Sequence, residues 1–129
     1  MVGLDRQIIV VGNGLFAAGL ANFLCSRGHQ ASALDAGPAC YDVLALRPPD
    51  ALIIDLLAAR QENFALLRRL RHNPDLAVVP VLVSSPGTVV GDVNRLERRL
   101  RALGAHPLLN PHNLDAILSE LVDHTFHVA

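Results

Sequence analysis

Asp55 is placed where a carboxylate could do chemistry. It ends the segment Arg47-Pro-Pro-Asp-Ala-Leu-Ile-Ile-Asp55, in which a proline turn precedes four consecutive apolar residues. An unbroken apolar run between turn residues is typical of a strand buried on both faces, and such strands belong to parallel sheets covered by helices. Ligands of open parallel sheets gather beyond the carboxyl ends of the strands. We therefore expect Asp55 to lie at the functional edge of a sheet.

A glycine turn near the N-terminus forms a second candidate site. The segment Val10-Val-Gly-Asn-Gly-Leu-Phe-Ala17 has the form G-x-G-x-x-A, between a predicted strand and a predicted helix, and Asp35 ends the next strand. In Rossmann-type folds such a turn holds a pyrophosphate on the amide groups that start the helix, and the later acid binds the ribose. This pattern predicts an NAD-type dinucleotide as cofactor, with four candidate residues: Gly12, Gly14, Ala17 and Asp35. The alternative is that the glycines only shape a tight turn.

Strands and helices that alternate five times must position these residues. The apolar runs predict strands at 7–11, 30–34, 51–54, 78–83 and 106–109. The helical periodicity predicts helices at 15–27, 38–46 and 61–71, a helix that Asp92 caps and Gly104 ends, and a helix at 114–126. Because short connections require right-handed crossovers, we expect an α/β fold with a doubly wound, five-stranded parallel sheet of flavodoxin-like order 2-1-3-4-5 and three αβα layers. This order brings Gly12 and Asn13 beside Asp55.

Length and composition limit the class of protein. With 129 residues, 51% of them hydrophobic, and a formal net charge of −1, the sequence predicts a single folded domain over residues 1–129 that does not bind nucleic acid directly. Cys25 and Cys40 have no metal or redox spacing, which predicts buried or inert thiols in a reducing cytoplasm. The uncharged segment 8–25 is long enough to imitate a membrane span, but the turn at 12–14 interrupts it, so we expect no membrane span.

The middle of the chain resembles the receiver domains of bacterial response regulators. The segment from Arg47 to Leu56 is similar to the third strand of a receiver, which ends on its phosphoacceptor aspartate, here Asp55. The segment Leu66-Leu-Arg-Arg-Leu-Arg-His-Asn-Pro74 is similar to the third helix of the family. The segment Val79-Pro-Val-Leu-Val-Ser-Ser85 is similar to its fourth strand, so Ser85 takes the position of the switch hydroxyl. The resemblance implies a CheY-like domain of a two-component phosphorelay.

Two departures from the receiver pattern concern its pocket. The family holds magnesium with a pair of acids where this chain has Gly12-Asn13, and it has a Lys-Pro pair where this chain has Asn110-Pro111. Phosphoryl transfer to a carboxylate depends on a divalent ion and a fixed cation that neutralise the transferring oxygens. Asp55 with Asn13 would bind Mg²⁺ weakly. The resemblance thus implies a pseudo-receiver with impaired or absent phosphorylation, which is not an enzyme, needs no cofactor and acts by binding a protein partner.

Three further patterns bear on partners. The segment Leu100-Arg-Ala-Leu-Gly-Ala-His-Pro-Leu-Leu-Asn-Pro111 resembles the end of the nucleotide-binding regulatory domains of potassium transport systems, and a strand order 3-2-1-4-5 would favour that alternative. The predicted helix from Leu15 to Cys25 is apolar nearly all round, which predicts a homodimer through this helix. Seven arginines lie on two predicted helices, where they form a solvated face or bind acidic side chains of a partner. These arginines are Arg68, Arg69, Arg71, Arg95, Arg98, Arg99 and Arg101.

Overall fold

Five parallel strands form one sheet in the order β2-β1-β3-β4-β5. The computed structural model describes residues 7–12, 15–35, 37, 39–55, 60–84, 93–107 and 115–119. The strands are β1 (Gln7–Val11), β2 (Gln30–Leu34), β3 (Ala51–Asp55), β4 (Val81–Ser84) and β5 (Ala105–Pro107). This order confirms the flavodoxin-like prediction. It differs from the order that would have favoured the nucleotide-binding alternative.

The described helices cover both faces of this sheet. They are α1 (Leu15–Ser26), α2 (Cys40–Leu46), α3 (Arg60–His72), α4 (Pro74–Ala77) and α5 (Val93–Ala102), and residues 115–119 are also helical. The rest of the predicted helix 114–126 lies outside the described residues, and so does Asp92, the predicted cap of α5. None of the described helices is long and apolar enough to cross a membrane.

The short helix α4 was not predicted, and it shortens the fourth strand. Asn73 ends α3 as expected, but its side chain then accepts a hydrogen bond from the backbone N–H of Asp75 at 3.0 Å and caps a new helix with Pro74 in its first turn. The strand therefore begins at Val81 and not at residue 78. The predicted last strand, 106–109, is observed one residue earlier, from Ala105.

Two hydrophobic cores lie on opposite faces of the sheet, because successive side chains of a strand alternate. All five residues of β3 are buried, which confirms the interpretation of its unbroken apolar run. One core packs against α2, α3, α4 and α5 and includes Leu52, Ile54, Val83, Leu67 and Leu100. The other packs against α1 and the helical residues 115–119 and includes Ile8, Val10, Ile53, Leu82, Leu24 and Ile117.

Arginine–aromatic contacts join the helices on the first of these faces. The guanidinium of Arg69 in α3 lies 3.8 Å from the ring centre of Tyr41 in α2. The guanidinium of Arg99 in α5 lies 4.0 Å from the ring centre of Phe64 in α3. The amide of Asn73 donates a hydrogen bond to the Tyr41 hydroxyl at 3.0 Å. Helices α2, α3 and α5 are therefore held side by side by polar contacts above their apolar core.

Candidate functional site at the carboxyl ends of the central strands

Gly12 and Asp55 meet where β1 and β3 end. The two strands pair with Val11 opposite Ile54, so the next residue of each strand reaches the same edge of the sheet. A Cβ atom on Gly12 would lie 3.1 Å from the Cβ atom of Asp55, 3.6 Å from its Oδ2 and 3.5 Å from the Cβ atom of Ala17. Gly12 therefore lets the carboxylate lie against the end of β1. The predicted neighbourhood of these two residues is confirmed.

Asp55 is a buried carboxylate with a fixed backbone. The residue is 3% exposed, and its carbonyl oxygen accepts a hydrogen bond from Nδ2 of Asn63 at 2.9 Å. Asn63 is itself 1% exposed and lies in α3 on the same stripe as Leu67 and Leu70. It ties this helix to the end of β3. Asn63 was not among the predicted site residues, although a polar residue on the apolar stripe of a helix is a signal that could have identified it.

Ser84 is the hydroxyl that the structure places opposite Asp55. The two residues are partners in the pairing of β3 with β4. Ser84 follows Leu82 by two residues and Asp55 follows Ile53 by two, so both side chains lie on the α1 face of the sheet. Ser84 is 1% exposed, and its Oγ has no hydrogen-bond partner within the part of the chain that the structure describes. Ser84 was not among the predicted site residues, because the strand register was not known, and the predicted switch residue Ser85 lies outside the described residues.

Several predicted site residues cannot be placed against this cluster. Asn13, Gly14, Ser85, Asn110 and Pro111 lie outside the described residues. Their roles as pocket, switch or cofactor-binding residues stay predictions.

Asp35, the predicted ribose-binding acid, lies next to the end of β1, because the backbone N–H of Gly12 donates to the carbonyl oxygen of the preceding Leu34 at 3.1 Å. It follows β2, and β1 separates that strand from β3. Asp35 is exposed and lines an open cavity of about 410 Å³ together with Leu34, Gly37, Cys40 and Val43. Ala17, from the same predicted site, is buried in the α1 core and 1% exposed.

The two cysteines differ in environment. Burial raises the pKa of the Cys40 thiol from 9.0 to about 11, so this thiol stays protonated and unreactive at neutral pH. Cys25 is exposed, and its thiol donates to the carbonyl oxygen of Ala31 at 3.3 Å. Of the predicted buried or inert thiols, Cys40 is buried, whereas Cys25 lies exposed on the outer side of α1 and its inertness stays a prediction.

Of the acidic residues that the receiver resemblance implies at a magnesium site, the described residues supply Asp55 but none at position 12. Magnesium requires hard oxygen ligands in near-octahedral geometry and is held through one or two carboxylates. Asp55 offers one carboxylate, but Gly12 has no side chain that could act as a ligand. Within the described residues no three His, Cys, Asp or Glu side chains are grouped as metal ligands would be.

Comparison with solved structures identifies the fold. No protein-family model matches the chain, and no curated protein matches it by sequence. The chemotaxis response regulator CheY4 of Vibrio cholerae aligns with a TM-score of 0.77 and 17% identity over 92% of this chain and 97% of that chain. A putative response regulator from Chloroflexus aurantiacus aligns with a TM-score of 0.80 and 19% identity over 95% and 99%.

A third structure has the same architecture. The signal receiver domain of a signal transduction histidine kinase from Syntrophus aciditrophicus aligns with a TM-score of 0.76 and 25% identity over 94% of this chain and 90% of that chain. All three align over nearly the whole chain, in agreement with the strand order of the sheet. The chain therefore has the fold of the CheY-like receiver domains of response regulators.

Proposed function

We propose that this protein is a receiver-like signalling domain that acts by binding a protein partner, with phosphorylation of Asp55 impaired or absent. The observation that carries this proposal is the contact of Gly12 with Asp55. Gly12 occupies the place that an acidic magnesium ligand has in the resembling family, and it presents no oxygen to a metal ion. Phosphoryl transfer to a carboxylate needs a metal ion or fixed cation to neutralise the charge on the transferring oxygens, and Gly12 cannot help to hold such an ion.

The basic residues of the chain support the same proposal. All eleven cationic side chains are arginines, and the sequence contains no lysine. The ammonium group that the resembling family directs at the phosphoryl group therefore has no counterpart at any position. An arginine does not replace it directly, because its charge is spread over a wide planar fork and not held as a compact point charge.

Acetyl phosphate tests the proposal. The protein is incubated with acetyl phosphate and Mg²⁺ beside a receiver domain known to be phosphorylated, and the intact mass of both is recorded. We expect the added mass of one phosphoryl group on the reference domain and an unchanged mass for this protein. Stoichiometric phosphate that hydroxylamine removes, and that is absent from Asp55→Asn, would show that the proposal is wrong.

A restored variant tests the stated cause. The triple variant Gly12→Asp, Asn13→Asp, Asn110→Lys returns the acids and the lysine of the resembling family. We expect this variant to gain a hydroxylamine-labile phosphoryl group, and the same variant with Asp55→Asn to lose it. A folded triple variant that stays unmodified would contradict the explanation through missing charge neutralisation.

Self-association through α1 is a further part of the proposal. The segment from Leu15 to Ser26 has no charged residue. Its exposed positions are small: Ala18, Gly19, Asn22, Cys25 and Ser26. Small residues allow two helices to approach closely, but they bury little apolar area, so we expect a weak dimer.

The proposal also covers the location and the domain organisation of the protein. Two free cysteines, one of them exposed, suit the reducing cytoplasm that we propose. We further propose that residues 1–129 form one domain, because the two cores share a single sheet.

A further inference from the structure

The charge of this protein is divided unequally between two helices and the rest of the chain. Helices α3 and α5 contain eight of the eleven arginines and two glutamates, which gives them a formal charge of +6. The remaining residues contain three arginines and ten acidic residues, a formal charge of −7. The net charge of −1 therefore conceals a strongly dipolar molecule.

The arginines of both helices belong to one surface. Arg99 of α5 reaches across to Phe64 of α3, at 4.0 Å from the ring centre. Arg71 of α3 lies against the turn after α5, where a Cβ atom on Gly104 would come within 2.6 Å of its Nη1. We define the basic surface by the exposed arginines of the two helices. They are Arg68, Arg69, Arg71, Arg95, Arg98, Arg99 and Arg101.

Two of these guanidinium groups are oriented by aromatic rings. Arg69 stacks on Tyr41 and Arg99 stacks on Phe64. Stacking occupies the flat face of a guanidinium group, while the N–H groups at its edge stay able to donate hydrogen bonds. Less side-chain entropy is then lost when the group binds a carboxylate in a bidentate manner. The basic surface is therefore partly organised for anionic groups before a partner arrives.

We propose that the basic surface binds an acidic segment of a protein partner. This proposal rests on the proposed function and names the chemistry of the partner. A segment lying along helices of ten and thirteen residues would span about 15–20 Å. Such a short segment stays on the basic surface. A nucleic acid strand that continues past it would meet the acidic remainder of the molecule and be repelled.

Fluorescence anisotropy tests this surface with defined probes. The probes are a labelled peptide of alternating glutamate and alanine, the matching lysine–alanine peptide, and a single-stranded oligonucleotide of the same charge as the acidic peptide. We expect the full chain to bind the acidic peptide more tightly than the oligonucleotide, and the lysine peptide to bind elsewhere or not at all. We expect the affinity for the acidic peptide to fall about tenfold as salt rises from about 50 to about 200 mM.

A matched pair of variants locates the binding. Arg68→Gln with Arg95→Gln removes one exposed arginine from each helix, neither of which stacks on a ring in the described contacts. Arg27→Gln with Arg47→Gln makes the same change of charge at exposed positions outside the basic surface. We expect the first pair to weaken peptide binding about tenfold and the second to change it less than about twofold. Circular dichroism checks that both double variants are folded.

Three outcomes would overturn the proposal. These are no binding of the acidic peptide at low salt, equal losses in the two double variants, and tighter binding of the oligonucleotide than of the peptide. None of them bears on Asp55, because the acetyl phosphate experiment measures phosphorylation independently of the arginines. A failure of the basic surface is thus distinguishable from a failure of the proposed function.

Discussion

At the scale of single residues, two buried polar side chains beside Asp55 have opposite hydrogen-bonding states. Asn63 donates to the carbonyl oxygen of Asp55 at 2.9 Å, whereas the Oγ of Ser84 has no partner among the described residues. A buried hydrogen bond stabilises a fold modestly, but a buried polar group without a partner is costly. The two residues should therefore respond differently when their polar groups are removed.

Replacing each residue by alanine tests this difference. We expect Asn63→Ala to lower the free energy of unfolding by about 1–3 kcal/mol, because the carbonyl oxygen of Asp55 loses its buried donor. We expect Ser84→Ala to leave it unchanged or to raise it by up to about 1 kcal/mol, because desolvation of the hydroxyl is avoided. Urea denaturation measures both values. A loss of more than about 1 kcal/mol in Ser84→Ala would mean that the hydroxyl has a partner in solution.

At the scale of elements, two glycines end helices in the left-handed region. Gly28 follows α1 with a φ of +90°, and Gly104 follows α5 with a φ of +79°. Gly104 was predicted to end its helix, and the sequence of α1 likewise reaches a glycine, Gly28, at its end. Their surroundings differ, because nothing lies within 4 Å of a Cβ atom on Gly28, while a Cβ atom on Gly104 would meet Arg71 at 2.6 Å. Comparing substitutions at Gly28 and Gly104 therefore separates the cost of backbone strain from the cost of side-chain crowding.

The two alanine substitutions should differ by the cost of displacing Arg71. We expect Gly28→Ala to lower the free energy of unfolding by about 1–2 kcal/mol through backbone strain alone. We expect Gly104→Ala to lower it only slightly further, since the guanidinium that must move is the end of the flexible, exposed Arg71 side chain. In an Arg71→Ala background, both glycine substitutions should cost nearly the same. If the excess cost of Gly104→Ala persisted there, the contact with Arg71 would not be its cause.

At the scale of the whole molecule, each face of the sheet offers a different kind of surface. The face with α3 and α5 is cationic, whereas helix α1 itself presents uncharged, mostly small residues, with the exposed ion pair of Arg27 and Asp115 at 3.1 Å beyond its end. Charged surfaces suit partners of opposite sign, whereas a surface of small uncharged residues suits a second copy of itself. We therefore propose that the first face binds a partner and that the second mediates self-association.

Light scattering at micromolar concentrations tests the dimer. We expect the mass to rise from monomer toward dimer as the concentration increases. Ala18→Glu and Asn22→Arg introduce charges at exposed positions of α1 and should restore the monomer, while Ala45→Glu, at an exposed position of α2, serves as a control that should not. A monomer mass at all concentrations would refute self-association through α1.

The sequence by itself determined the alternation of strands and helices, the sheet order and the location of Asp55. These features depend on local patterns: the apolar run before Asp55 indicates burial on both faces, and Gly28 and Gly104 mark helix ends. Short connections then leave few topologies to choose from. These local patterns did not predict α4, because Asn73 both ends one helix and caps the next.

Only the tertiary structure decided which polar groups meet. Asp55 pairs with Ser84 in the sheet. Strand register depends on contacts far apart in the sequence, and a shift by one residue turns every side chain to the other face. Asn63 reaches Asp55 only because α3 packs back onto β3. The arginines of α3 and α5 form one surface because the crossovers place the two helices side by side. Such neighbours are set by packing between elements, which no local pattern of residues encodes.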